Sequence, residues 1–204
     1  MPAGPKRIRQ PGKAPCEARP GRSRPETPAS SAWRASAERD FWGFPPGGSL
    51  GELQHNVLRV LTNARFSIKT CDLLTYLIGE TQPVDWVPPS RPIVGLPNAA
   101  IFAALPISQP TFAGALHTLT EAGFVTLKDA SDFKRVGARD QKTGAIIPER
   151  SFGFDLSILA VRYHELAELA QQRARLSPAL TPKFKDPVMQ SVANLTAAPR
   201  RGRT

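Results

Sequence analysis

Cysteine is scarce in this chain, with Cys16 and Cys71 the only two in 204 residues. One sits in a Pro- and Arg-rich stretch and the other in a helical pattern. Nothing therefore calls for a disulfide or a thiolate metal site, which suits a reducing compartment. Long apolar runs are missing as well. No stretch approaches the roughly eighteen apolar residues of a membrane span, and the N-terminus lacks the apolar core of a secretion signal. The expectation is a soluble, cytoplasmic protein with no membrane partner. His55, His117 and His164 are scattered, without Cys or carboxylate companions at ligand spacing, and neither a phosphate loop nor a Gly-rich dinucleotide turn occurs. Glu165 and Glu168 beside Arg162 read as surface ion-pair partners. No enzyme, no metal and no cofactor are expected.

What the chain does have is positive charge, a formal net +10. That suggests a polyanionic partner, but its distribution matters more than its sum. Residues 1–50 carry nine Lys/Arg against four Asp/Glu, residues 177–204 five against one, and residues 51–176 thirteen against twelve. The basicity belongs to the ends. Residues 1–48 are dense in Pro, Gly, Ser, Ala and Arg, with too few aliphatic side chains to offset the entropy of ordering, and the composition reverts to this type beyond Pro178. Disordered basic tails are expected over 1–48 and 177–204, around one domain at 49–176. Arg7, Arg9, Arg19, Arg22 and Arg24 suit either phosphate contact or simple solvation. Trp33, Phe41, Trp42 and Phe44 are expected to pack on the edge of the domain.

Within the domain, Leu50, Leu53, Val57, Val60 and Leu61 fall at helical spacing. Ser67 can cap a second helix with Ile68, Cys71, Leu74, Leu77 and Ile78 on one face, ended by Gly79. Four prolines in the segment Gln82 to Pro92, namely Pro83, Pro88, Pro89 and Pro92, remove backbone donors and predict a loop. Asn98 offers a cap for a short helix that Pro106 ends. Ser108 then caps another, with Pro110 in its first turn, where the missing N–H costs nothing. Phe112, Ala115, Leu116 and Leu119 make its apolar stripe, and Gly123 closes it. Phe124 to Leu127 and Phe133 to Val136 read as two strands of a hairpin, and Ser151-Phe-Gly-Phe as a short third strand. A long helix should run from Asp155 and Ser157 to about Leu176, with Leu159, Tyr163, Leu166 and Ala170 on one face. Helix, short turn, helix and hairpin is the order of a winged helix-turn-helix, whose second helix enters a major groove. The expected fold class is mainly α with a small β-hairpin wing.

Ser108, Gln109 and Thr111 sit at the start of that second helix, where small polar side chains and free N–H groups reach phosphates or base edges; plain capping explains Ser108 equally well. His117 and Thr118 lie off the apolar stripe, as an exposed helix face also would. Gly114 lowers helix propensity by about 1 kcal/mol relative to Ala, which marks close backbone approach or loss of constraint. Lys128, Lys134, Arg135, Arg139 and Lys142 are the cations of the wing, suited to phosphate contact. Asp129, Asp132 and Asp140 are interspersed among them, so a neutralised loop is the alternative.

The stretch Glu149 to Ala160, ERSFGFDLSILA, resembles a phrase of the form AFGFDLSPL that follows the wing in the N-terminal domain of plasmid replication protein C. Leu96-Pro-Asn-Ala-Ala is similar to that family's P-S-N helix start. Thr111-Phe, with Leu116 and Leu119-Thr-Glu-Ala-Gly-Phe-Val, is similar to its TLRRHLAALVEAGLI, and Lys134-Arg135 fits its basic wing. The resemblance covers about residues 66–176, with FGFDLS its most specific part. It implies a winged-helix protein that binds plasmid origin DNA, initiates replication and recruits host replication proteins. The family's paired arginines on the recognition helix are replaced here by Ala113 and Gly114, and its second domain has no counterpart here. The chain therefore reads as a truncated or diverged member. Two other readings stay open. One is a small winged-helix transcription regulator, a homodimer whose long last helix aligns two recognition helices about one DNA turn apart. The other is a remnant with weakened DNA binding.

The charge distribution generates a prediction. Non-specific DNA affinity should reside mainly in residues 1–48 and 177–204, so trimming both should flatten the salt dependence of binding in a titration. A bare domain that kept the full salt slope would contradict it.

Overall fold

The apolar stripes read from the sequence meet in one core. Leu53, Val57, Val60 and Leu61 are buried on one face of a helix, α2 (Leu50–Asn63), begun by Ser49, whose hydroxyl accepts from the Glu52 N–H. Ser67 does the same for the Thr70 N–H at the start of α3 (Ile68–Gly79). Its buried face is Leu73, Leu74, Leu77 and Ile78; Ile68, expected on that face, is 76% exposed. A computed structural model describes residues 26–130 and 134–176. Its remaining helices are α1 (Pro28–Asp40), α4 (Asn98–Ala104), α5 (Gln109–Glu121), α6 (Ser157–Val161) and α7 (Tyr163–Leu176). Strands β1 (Ile93–Val94), β2 (Thr126–Lys128) and β3 (Gly153–Asp155) form a small antiparallel sheet.

The first difference from expectation is α1. The tails expected at residues 1–25 and 177–204 lie outside the described residues; residues 26–48 are not a disordered tail. Thr27 and Ser30 form a reciprocal capping box, and Pro28 occupies the first turn. Trp33 is the only large apolar residue of α1, and what holds the helix is tertiary. The Trp33 Nε1–H donates to the Glu121 carbonyl at 3.2 Å, the Thr27 hydroxyl donates to the Glu121 carboxylate, and Ala37 is fully buried. Gly123 permits this contact. It has φ +67 just past the end of α5, and a Cβ there would lie 2.6 Å from the Trp33 ring. Of the aromatic cluster, Phe44 stacks on the buried Trp86 with centroids 5.0 Å apart, whereas Trp42 is 82% exposed. An N-terminal truncation meant to remove charge but not structure therefore belongs before Glu26, not at residue 48.

The second difference is strand pairing. β2 pairs with β3, Leu127 opposite Phe154, and not with residues 134–136; β1, which was not anticipated, pairs with the other edge of β3. Val136 meets Phe152 in an isolated bridge, and Arg139 meets Ile146 in another. Residues 134–152, between the edge strand β2 and the central strand β3, thus fold back on themselves. Residues 131–133, which include Asp132 and Phe133, lie outside the described residues. The Pro-rich loop also holds more structure than expected: a 3₁₀ turn, Pro83–Trp86, buries Trp86, whose Nε1–H donates to Thr81 at 3.0 Å.

The third difference is a break in the last helix. Asp155 accepts from both the N–H and the hydroxyl of Ser157 and so starts α6, but at Arg162 the N–H turns back to Ala160 and Ile158, and α7 begins one residue later. Leu159, Tyr163, Leu166 and Ala170 are buried as expected. Burial and Glu52, whose carboxylate accepts from the Tyr163 hydroxyl at 2.6 Å, push the phenol pKa up. Among the described residues no single helix is long and apolar enough to cross a membrane; α4 and α5 qualify together only by length and composition, and bend 103° at their junction.

In α5, Phe112, Ala115 and Leu119 are buried, whereas Leu116 is half-buried against the core rather than within it. Leu119→Ala should therefore cost roughly 2–5 kcal/mol of stability, and Leu116→Ala less, about half as much, because less cavity is created. Chemical denaturation checks both. An unchanged midpoint for Leu119→Ala would contradict the assigned face.

Candidate nucleic-acid interface

α4 and α5 are joined by four residues, Leu105 to Ser108, and their axes bend by 103°. Ser108 caps α5 as anticipated, its hydroxyl accepting from the Thr111 N–H at 3.4 Å and lying 2.8 Å from the Thr111 hydroxyl. Burying Phe112, Ala115 and Leu119 turns the other side of α5 outward, so Gln109, Thr111, Gly114 and Thr118 are exposed together with Ser108. His117 sits at the edge of this face, with Nδ1 4.0 Å from the Glu121 carboxylate. Thr111, Gly114 and Thr118 thus share one face, which His117 flanks, whereas Gln109, two positions before Thr111, lies on the opposite side of the helix. Between that face and the α2–α3 turn runs an open groove of about 560 Å³.

The cations of residues 128–142 separate into two groups. Lys128 donates to the Pro148 carbonyl and lies 5.6 Å from the Phe152 ring centre. Arg135 lies over the buried Phe154 ring at 4.1 Å and donates to the Asn98 side-chain oxygen; burial pushes its guanidinium pKa down. Asn98 was expected to cap α4, but its side-chain oxygen is directed to Arg135 instead, and α4 has no side-chain cap. Arg139 grips the buried Asp85 through two bonds of 2.8 and 3.0 Å and also donates to the Gly144 carbonyl. These three hold the 134–152 segment to the domain. Lys134 and Lys142 are exposed. Lys134 joins Pro97, Asn98, Arg135 and Val136 around a cleft of about 440 Å³ at the start of α4. Lys142 stands in a turn built on Asp140, whose carboxylate the N–H groups of Thr143 and Lys142 hold below the usual carboxylate range. Among the described residues no group of three His, Cys, Asp or Glu side chains is placed to hold a metal ion.

A family model for the replication protein C N-terminal domain matches residues 24–185. The chain belongs to that family. A Rhizobium rhizogenes chain carrying the replication protein C name is 48% identical over 54 residues, which span 26% of this chain and 13% of that relative. No solved structure matches. The matched residues begin ahead of α1, so the helix that composition assigned to a tail lies inside the replication protein C domain.

The FGFDLS stretch, the most specific part of the resemblance, is explained by packing. Phe152 faces Lys128, and Gly153, at φ +149, lets β3 approach β1 where a Cβ would meet the Val94 carbonyl at 2.3 Å. Phe154 is fully buried, edge-on to Phe112 of α5 at 6.3 Å. Asp155 starts α6 and lies 3.5 Å from Arg91, which donates to Ser157 and to the Ala37 carbonyl of α1. In this replication protein C domain the motif packs the sheet against α5 and α6 and does not itself line the outward face of α5.

Removing the Arg139 guanidinium leaves Asp85, only 1% exposed, without its counter-charge. Arg139→Met should then cost about 3 kcal/mol, the low end for a broken buried pair because the Arg139 side is partly solvated. Lys142→Met should cost almost nothing. Paired thermal melts check this, and equal stability of the two would contradict a structural role for Arg139.

Proposed function

We propose that the chain is a winged-helix domain that binds duplex DNA at a plasmid replication origin, as part of replication initiation. The observation that carries this reading is the α4–α5 pair. Its 103° bend lies in the range of helix-turn-helix pairs, and its second helix turns a polar, carboxylate-poor face outward, in a chain of the replication protein C family. In this reading α5 is the recognition helix, β2 and β3 with the segment between them are the wing, and Thr111, His117 and Thr118 approach base edges or phosphates. Lys134 and Lys142 meet flanking phosphates. Lys128, Arg135 and Arg139 act indirectly, by fixing the wing against α4 and the 3₁₀ turn.

The helix face carries hydroxyls but no arginine. Bidentate arginine contacts to guanine typically contribute about 1–3 kcal/mol of discrimination each, and Ala113 and Gly114 cannot make them. The reading is therefore of modest sequence preference on a phosphate-dominated interface.

A titration against origin duplex and random duplex at matched salt tests it. Lys134→Glu with Lys142→Glu should weaken binding to all sequences alike, lowering the salt slope by about 0.9 for each phosphate that is no longer neutralised. Weakening confined to the origin duplex, or no binding to either duplex by the parent chain, would refute the assignment.

A further inference from the structure

The groove beside α5 has an unusual lining. On one side are Arg65, Ser67 and Thr70, and on the other Thr111 and Thr118 with Gly114 between them. Among the described residues no carboxylate lines it. Its hydroxyls are partly engaged with each other and with backbone: Ser67 Oγ lies 2.8 Å from Thr70 Oγ1, and the Thr118 hydroxyl donates to the Gly114 carbonyl at 3.0 Å. Arg65 supplies the positive charge of this lining.

Two of these residues run against local preference. α2 ends at Asn63, Ala64 follows as its cap, and Arg65 then turns with φ +59 so that the Phe66 N–H reaches the Leu61 carbonyl at 3.1 Å. This left-handed position favours Gly or Asn, and Arg65 is exposed, so packing does not explain an arginine there. Gly114 is the converse. It lies inside α5, where glycine weakens a helix, yet an added Cβ would meet nothing within 4 Å. Internal packing demands neither residue, and both face the same groove.

We infer that this groove seats the sugar-phosphate backbone of a DNA duplex, with Arg65 gripping a phosphate opposite α5 and bare Gly114 leaving depth for the strand. The inference rests on the DNA-binding reading above and adds to it a contact that belongs neither to the recognition helix nor to the wing. A phosphate requires a cation, hydrogen-bond donors and no competing carboxylate, and a guanidinium can bind two of its oxygens at once. The groove meets those conditions, and its open form admits a polymer rather than enclosing a small anion.

The test uses the full chain, a random-sequence duplex and a salt series read by fluorescence anisotropy, beside thermal melts. Arg65→Gly installs the residue the backbone favours, so its melting temperature should hold or rise. Its affinity should fall on the order of tenfold, and its salt slope by about 0.9. Gly114→Leu places a side chain in the groove from a Cβ that meets nothing within 4 Å, and leucine favours a helix over glycine, so it too should keep its melting temperature while binding weakens. Should Arg65→Gly melt early, Arg65→Asn suits the same backbone and replaces it. Weaker binding by a chain at least as stable cannot come from a structural defect, and would support the inference. Parent-like affinity and slope in both variants overturn the groove while leaving the DNA-binding reading intact. No duplex binding by the parent chain overturns that reading, and the inference with it.

Discussion

The burial of β3 in the middle of the sheet is the constraint on which the other parts depend. Phe154 is fully buried between α5 and the Arg135 guanidinium, and its neighbours in the sheet are Val94 on one side and Leu127 on the other. One residue on, Asp155 takes the N–H and hydroxyl of Ser157 and faces Arg91. A charged group so deeply placed costs free energy unless it is paired and hydrogen-bonded, and Asp155 has both kinds of partner. Through Arg91 the same cluster reaches Ala37, so the sheet, α6 and α1 are held at a single place.

That arrangement sets the outward face of α5 indirectly. Phe112 packs edge-on to both Phe102 of α4 and Phe154 of β3, which fixes the rotation of α5 about its axis. The far end of α5 is held from outside by α1. Arg162 lies 4.7 Å from the Trp33 ring centre and donates to the carbonyls of Ala122 and Gly123, so α1, the end of α5 and the α6–α7 junction share one guanidinium. Glu165, held below its ordinary pKa by Arg162, completes the arrangement. A helix so held can present side chains to a rigid polymer with little ordering left to do on contact.

Cations in the 128–142 segment show how a basic composition can mislead. Spacing made all five equivalent, yet three bind inward, to an aromatic face, a backbone carbonyl or a buried carboxylate. The partners of Arg135 and Arg139, Asn98 and Asp85, lie 37 and 54 residues away. No local pattern announces such pairs. Arg65 is the reverse case. Its place beside α5 depends on how α3 packs against α5, and its only sequence signal is an arginine where a helix end usually has glycine.

The sequence by itself determined the elements whose signals are local. Repeats of 3.6 residues mark α2, and together with hydroxyl caps they define α3 and α5 almost to the residue, because burial of one stripe and satisfaction of the first N–H groups are decided within a few turns. The family resemblance was legible for the same reason: FGFDLS is contiguous. Tertiary structure alone decided which strands pair, whether Thr27 to Asp40 is a tail or a docked helix, and which cations face outward. β2 finds β3 across 24 intervening residues, and α1, poor in large apolar residues, is held by Trp33, Ala37 and contacts to groups far along the chain. Composition records how much a segment can bury but not what waits elsewhere to receive it.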